Sequence, residues 1–137
     1  MKTRLQHVAI AVADLDATLA RVADTWGFHA ASRERLEDQG VEEAMVPMGE
    51  ASLQFIAPTD RSSTVARFID RRGEGLHHIA LEVDDLRATL AALRSKGVSL
   101  IDEEPRAGGG GHQVAFVHPR DNFGVLVELV QSAGDTA

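Results

Sequence analysis

Two histidines occupy equivalent places in this chain. His7 opens the stretch His7-Val-Ala-Ile-Ala-Val-Ala-Asp-Leu-Asp-Ala-Thr-Leu-Ala20, and His78 opens His78-Ile-Ala-Leu-Glu-Val-Asp-Asp-Leu-Arg-Ala-Thr-Leu-Ala91. Nine of these fourteen positions are identical across an offset of 71 residues, and Val8/Ile79 and Ile10/Leu81 keep their apolar character. A second pair emerges when Ser52-Leu-Gln-Phe-Ile56 is aligned with Leu126-Val-Glu-Leu-Val130 at an offset of 74, the extra three residues fitting a loop insertion. Gln54 and Glu128 then interrupt an apolar strand at the same place in each copy. Two imidazoles, an amide oxygen and a carboxylate suit a borderline divalent ion such as Co²⁺, Mn²⁺, Ni²⁺ or Zn²⁺, with open positions left for substrate. Taken singly, each residue has a plainer explanation. A strand histidine commonly titrates or sits hydrogen-bonded, and a strand glutamate commonly faces solvent or pairs with arginine. Four polar interruptions at repeat-equivalent positions are hard to explain by packing alone.

The elements that must carry these side chains are legible from periodicity. Val8, Ile10 and Val12 alternate with His7, Ala9 and Ala11, as Ile79, Leu81 and Val83 alternate with His78, Ala80 and Glu82, the period of a half-buried strand. The larger apolar set should pack beneath a following helix, leaving each histidine on the opposite face beside small alanines. Asp14, and Asp84 or Asp85, are N-cap candidates. Leu15, Leu19 and Val22 form one helical stripe, Leu86, Leu90 and Leu93 its counterpart, and Gly27 and Gly97 stand where such helices stop. Three short strands should follow each helix: about 30–37, 41–48 and 51–57 in the first copy, and about 100–103, 113–118 and 124–130 in the second. A linker from 58 to 63 and a short helix over about 64–71 separate the copies, and residues 131–137 should fray. The expected architecture is α+β: two βαβββ modules, about 5–58 and 76–131, forming a curved mixed sheet around a metal-binding cavity within one domain spanning 1–137. His77 should pack near the 73–75 turn, and His118-Pro119 should shape a turn.

Composition narrows the partners. The 137 residues hold no cysteine, which excludes disulfides, thiolate metal sites and cysteine nucleophiles. With 14 Lys and Arg against 21 Asp and Glu, the formal charge is −7. Such a chain lacks the basic field that draws nucleic acid. The N-terminal apolar run is broken at once by Gln6 and His7, too early for a signal peptide or membrane span, so a cytoplasmic, membrane-free protein is expected.

Further motifs are Leu5-Gln-His-Val-Ala-Ile, Asp38-Gln-Gly-Val, Ser63-Thr-Val-Ala-Arg-Phe-Ile, Gly73-Glu-Gly-Leu-His-His-Ile-Ala, Asp102-Glu-Glu-Pro-Arg, Phe116-Val-His-Pro-Arg and Gly124-Val-Leu-Val-Glu-Leu. Together they resemble the vicinal-oxygen-chelate superfamily of glyoxalases, ring-cleaving dioxygenases, epimerases and antibiotic-binding proteins. Within it they resemble the methylmalonyl-CoA epimerases, from about Leu5 to Val130. The resemblance makes His7, Gln54, His78 and Glu128 the metal ligands, the set already reached from the repeat. It adds Glu43 as a second acid/base, where strand alternation alone leaves Glu42 and Glu43 equally placed. It also implies a homodimer and a small-molecule acyl-CoA substrate. This chain departs from the family at Arg21-Val22, where an aromatic pair is common, at Asp38, and at Asn122-Phe123.

The chemistry implied is epimerisation of methylmalonyl-CoA, or of a closely related 2-substituted malonyl thioester. Glu43 and Glu128 would exchange the C2 proton from opposite faces through a metal-stabilised enolate. Two neutral imidazoles, one neutral amide and one carboxylate leave a divalent site with net charge of about +1, suited to an anionic chelating substrate. The alternatives are a glyoxalase-type isomerase acting on a glutathione hemithioacetal, and a metal-free small-molecule-binding protein of the same fold. Arg33, Arg35, Arg61, Arg71, Arg72, Arg106 and Arg120 are unranked candidates for contacts to the CoA tail.

Overall fold

A computed structural model describes residues 3–132 of the chain. Its elements run β1 (Thr3–Ala11), α1 (Leu15–Trp26), β2 (Ser32–Leu36), β3 (Val41–Met48), β4 (Ala51–Pro58) and α2 (Thr64–Arg72), then β5 (Gly75–Val83), α3 (Leu86–Ser95), β6 (Arg106–Ala107), β7 (Gln113–Val117) and β8 (Val127–Gln131). The α+β class and the doubled βαβββ order are as expected from the repeat. By its contacts the chain divides into two units, one from His7 to His77 and one that joins His78 onward to the start of β1 through Gln6. Among the described residues no helix is long and apolar enough to cross a membrane.

In the first unit the strands lie in the order β2-β3-β4-β1, with β1 parallel to β4 and the other pairs antiparallel. α1 begins where the Asp14 side chain accepts a hydrogen bond from Ala17 N, and it stops at Gly27, whose φ of 71° lies in the left-handed region. Leu15, Leu19 and Val22 of that helix pack with Ile10, Ala44, Val46, Leu53, Phe55 and Ala57. The opposite face of the same sheet carries Ala11, Val41 and Ile56, covered by Val65, Phe68 and Ile69 of α2. The Ser63 hydroxyl caps α2 by accepting from Ala66 N at 3.1 Å, and the turn at Gly40 is pressed against this cap. A Cβ on Gly40, whose φ is 65°, would stand 3.1 Å from Asp60 Cβ and 3.2 Å from Ser63 Cβ. Gly40→Ala is therefore expected to destabilise the fold by about 1–3 kcal/mol, from left-handed strain plus overpacking. A lower urea midpoint at unchanged m-value is the readout, and an unchanged midpoint would refute it.

In the second unit the strand order is β1-β5-β8-β7-β6, with β5 parallel to β8. Asp85, rather than Asp84, caps α3 by accepting from Ala88 N. Leu86, Leu90 and Leu93 cover Ile79, Leu81, Ala115, Val117, Val127 and Leu129. Ala80, Val114 and Val130 cluster on the other face. Thus Val8 and Ile10, and Ile79 and Leu81, sit on faces opposite to those of His7 and His78, as strand alternation requires.

Four boundaries differ from the sequence expectation. The strand expected over 100–103 is reduced to a single bridge from Leu100 to Val117, and the pairing strand is β6 at Arg106–Ala107. The reason is local: the Asp102 carboxylate takes the Phe116 N–H at 2.8 Å, in place of a backbone carbonyl. Pro105 then breaks the run, having no N–H to donate. β2 is shorter than the expected 30–37, and β8 starts at Val127 rather than near 124, after a turn in which Phe123 (φ 58°) and Gly124 (φ 79°) are both left-handed. Gln131 is ordered in β8 and accepts the Leu86 N–H at 2.7 Å, tying β8 to the start of α3. The expected fraying of 133–137 lies outside the described residues.

Candidate metal centre

Strand register decides which side chains share a face. In the parallel ladder of the first unit His7 pairs with Ser52 and Ala9 with Gln54. In the antiparallel ladder Met45 pairs with Gln54 and Glu43 with Ile56. Registered neighbours project to the same side, so His7, Gln54 and Glu43 lie on one face, the face on which Ala11 and Ile56 meet α2. His7 is 5% exposed and Gln54 4%, while Ala9 between them is fully buried and leaves room above its methyl group.

Glu42 faces the other way. It pairs with Ala57 on the α1 side and accepts from Arg33 Nη2 at 2.8 Å, while Arg33 also reaches Asp16 of α1 at 2.7 Å. Hydrogen bonds to Glu42 first and to Asp16 second hold the Arg33 guanidinium even more firmly protonated than usual. This pairing sets the two adjacent glutamates on opposite faces. Glu42 belongs to a surface ion pair, and Glu43 shares the face of His7 and Gln54.

Gln54 links two roles. Its Nε2 donates to Glu43 Oε2 at 2.8 Å, while its Oε1 is buried with no hydrogen-bond partner. Leaving a buried carbonyl oxygen unpartnered costs about 1–3 kcal/mol, and a cation bound at that oxygen would remove the cost. This orphan acceptor beside a buried imidazole fits a divalent ion.

The second unit repeats the arrangement with different chemistry. Ala80 pairs with Glu128 in the parallel ladder, as Ala9 pairs with Gln54, and His78 again stands two residues earlier. Here His78 Nε2 lies 3.3 Å from Glu128 Oε1, with side-chain exposures of 3% and 13%. Phe116 pairs with Glu128 where Met45 pairs with Gln54, and its ring meets the His78 ring edge-on at 5.4 Å. The counterpart of Glu43, two residues before Phe116, is Val114, which is buried in an apolar cluster. The repeat is thus broken at one point, and the break supplies a carboxylate to the first unit alone.

Sequence and fold both match known proteins. The family model described as the Glyoxalase/Bleomycin resistance protein/Dioxygenase superfamily matches residues 6–116. The chain belongs to that superfamily. Within the superfamily it is 37% identical to human mitochondrial methylmalonyl-CoA epimerase, across 94% of this chain and 74% of that protein. Among solved structures it is similar to Streptomyces coelicolor methylmalonyl-CoA epimerase in complex with 2-nitronate-propionyl-CoA, at 42% identity and a TM-score of 0.92, covering 97% of this chain and 96% of that one. It is likewise similar to the Mycobacterium tuberculosis methylmalonyl-CoA epimerase, at 44% identity and a TM-score of 0.88, covering 94% and 87%.

Two of the other histidines of this superfamily member have structural roles. His77 packs edge-on to Phe68 at 4.8 Å, close to the 73–75 turn. His118 Nδ1 accepts the Arg120 N–H at 2.9 Å and shapes the turn before β8. By residue type Phe116 reads as core, as an aromatic in a strand does; its register beside Glu128 reveals its place.

Proposed function

We propose that this protein epimerises methylmalonyl-CoA, or a closely related 2-substituted malonyl thioester, with His7, Gln54, His78 and Glu128 holding one divalent cation within a single domain. The observation that carries this reading is the Gln54 amide: its oxygen is buried and unpartnered while its nitrogen holds Glu43. One side chain thereby offers a donor to a cation and fixes a carboxylate beside it. Co²⁺ is the first choice of metal, and Mn²⁺, Ni²⁺ or Zn²⁺ suit the same donors. Such a cation supplies a Lewis acid for the thioester and carboxylate oxygens flanking C2, which acidifies the C2 proton.

The chain's own groups do the rest. Glu43, held by the Gln54 N–H, removes or returns the C2 proton on one face of the carbon. Glu128 serves the other face, its carboxylate oriented beside His78. Burial of His7, Gln54 and His78 keeps bulk water from competing for the proton. The relatives named as methylmalonyl-CoA epimerases support this substrate class. A homodimer in the cytoplasm is part of the same reading.

The deciding experiment is C2 proton exchange of methylmalonyl-CoA in D₂O, followed by NMR with added Co²⁺ and again after chelation. Rapid exchange that disappears on chelation and returns with metal is expected. No exchange above background in metal-loaded protein would overturn the assignment, and activity on methylglyoxal with glutathione would then identify a glyoxalase.

A further inference from the structure

Building on the epimerase reading, we infer that Arg106 captures an anionic oxygen of the acyl-CoA substrate beside the His78–Glu128 pair. Most of the chain's structurally engaged arginines end on carboxylates: Arg4 on Glu82, Arg33 on Glu42 and Asp16, Arg35 on Glu37, Arg87 on Glu104 and Arg94 on Glu103. Arg106 is held differently. Its Nε lies 3.3 Å from Asp102 Oδ2, and its guanidinium carbon sits 5.5 Å over the centre of the Phe116 ring. The same Asp102 oxygen accepts the Phe116 N–H. One carboxylate therefore anchors both the arginine and the strand beneath it.

Two consequences follow from this clamp. The first concerns the terminal nitrogens of Arg106: the guanidinium's closest contact with Asp102 is through Nε at 3.3 Å, longer than a strong charge-assisted hydrogen bond, so its remaining donors can still take an anionic oxygen. The second is direction. Arg106 pairs with Val114 in the β6–β7 ladder, and Val114 shares its face with Ala80 and Val130. Phe116, one pair further along that face, is registered with Glu128 and abuts His78. Arg106 thus stands on the same face of the second unit as two of the proposed ligands, separated from them by one aromatic ring.

A surface ion pair such as Arg106–Asp102 contributes little to stability by itself, so stability does not explain the arrangement. A stacked, planar guanidinium matches the geometry of carboxylate or phosphate oxygens. On a chain of net charge −7 an anionic thioester needs a local cation to offset the general repulsion. The substrate offers this chemistry in two places, the 2-carboxylate and the CoA phosphates.

The test compares metal-loaded wild type with Arg106→Gln and Arg106→Lys on two substrates, methylmalonyl-CoA and the methylmalonyl thioester of N-acetylcysteamine, which lacks the phosphates. Arg106→Gln is expected to raise KM for the CoA thioester about 10- to 100-fold, the range for losing a charge-assisted hydrogen bond, with kcat little changed. Arg106→Lys should recover part of the loss, because the charge remains and the fork does not. A penalty that persists on the truncated thioester assigns the 2-carboxylate, and one that vanishes assigns a phosphate. KM within about twofold of wild type on both substrates would overturn the inference. So would a fall in kcat with loss of bound metal at unchanged KM, which would make Arg106 a positioning residue for His78. Wild-type protein inactive on methylmalonyl-CoA would instead overturn the epimerase reading, and the inference with it.

Discussion

Glu43→Gln should retain the fold and the bound metal and lower C2 exchange by about 10²–10⁴-fold, the usual contribution of a positioned general base. The expectation rests on register. Glu43 pairs with Ile56, which places its carboxylate on the face of His7 and Gln54, and the Gln54 N–H fixes its orientation at 2.8 Å. The substitution is nearly isosteric, and a glutamine carbonyl at position 43 can still accept that N–H. What it removes is the ability to take a proton. The corresponding place in the second module is Val114, so no carboxylate there can substitute through the repeat. Glu42→Gln is the matched control. It loses the ion pair with Arg33 on the α1 side, a surface pair of little consequence for stability, and should leave exchange unaltered. Metal content by elemental analysis and deuterium incorporation by NMR read both variants. A Glu43→Gln protein that exchanges within tenfold of wild type would remove Glu43 from the acid/base pair.

The contrast between these neighbours shows where sequence alone stops. A repeat offset and a period of two place His7, Gln54, His78 and Glu128 at equivalent points, because each of these signals is local and each is written twice. The βαβββ order is legible for the same reason: Asp14 and Asp85 cap helices, Gly27 ends one, and apolar stripes fall between. Glu42 and Glu43 are different, since both lie on a half-buried strand and alternation assigns them to opposite faces without saying which face is which. Only the pairing of β3 with β4, fixed by residues more than ten positions away, decides it. The misplaced strand near 100–103 has a similar origin. Its apolar pattern is genuine, but the Asp102 side chain takes over a backbone hydrogen bond, and residue type does not announce that exchange. Residue type does not separate Arg106 from the other arginines, because its distinction lies in what it rests on. Phe116 and Asp102 come together only in the fold.

Gln54→Glu is the second large effect, and its two readouts should move apart. A carboxylate at position 54 offers the cation a negative donor in place of a neutral one. Divalent-metal affinity, measured by chelator competition, is therefore expected to hold or rise. The same change replaces the N–H that now holds Glu43 with a carboxylate oxygen at a separation near 2.8 Å. Two carboxylates that close cannot both stay ionised without a proton or a cation between them. Glu43 must then turn away or share a proton, and C2 exchange should fall by about 10²-fold or more even though metal is bound. The charge at the centre also drops from about +1 to neutral, which weakens the hold on an anionic chelating substrate and should raise KM as well. Gln54→Met provides the opposite pattern. It removes the buried oxygen and the N–H together, so metal affinity should drop about 10- to 100-fold along with exchange. If Gln54→Met keeps wild-type metal affinity, the amide oxygen is not a ligand. If Gln54→Glu keeps both metal and full exchange, the hydrogen bond to Glu43 does not matter for the chemistry, and the Gln54 amide no longer supports the epimerase reading.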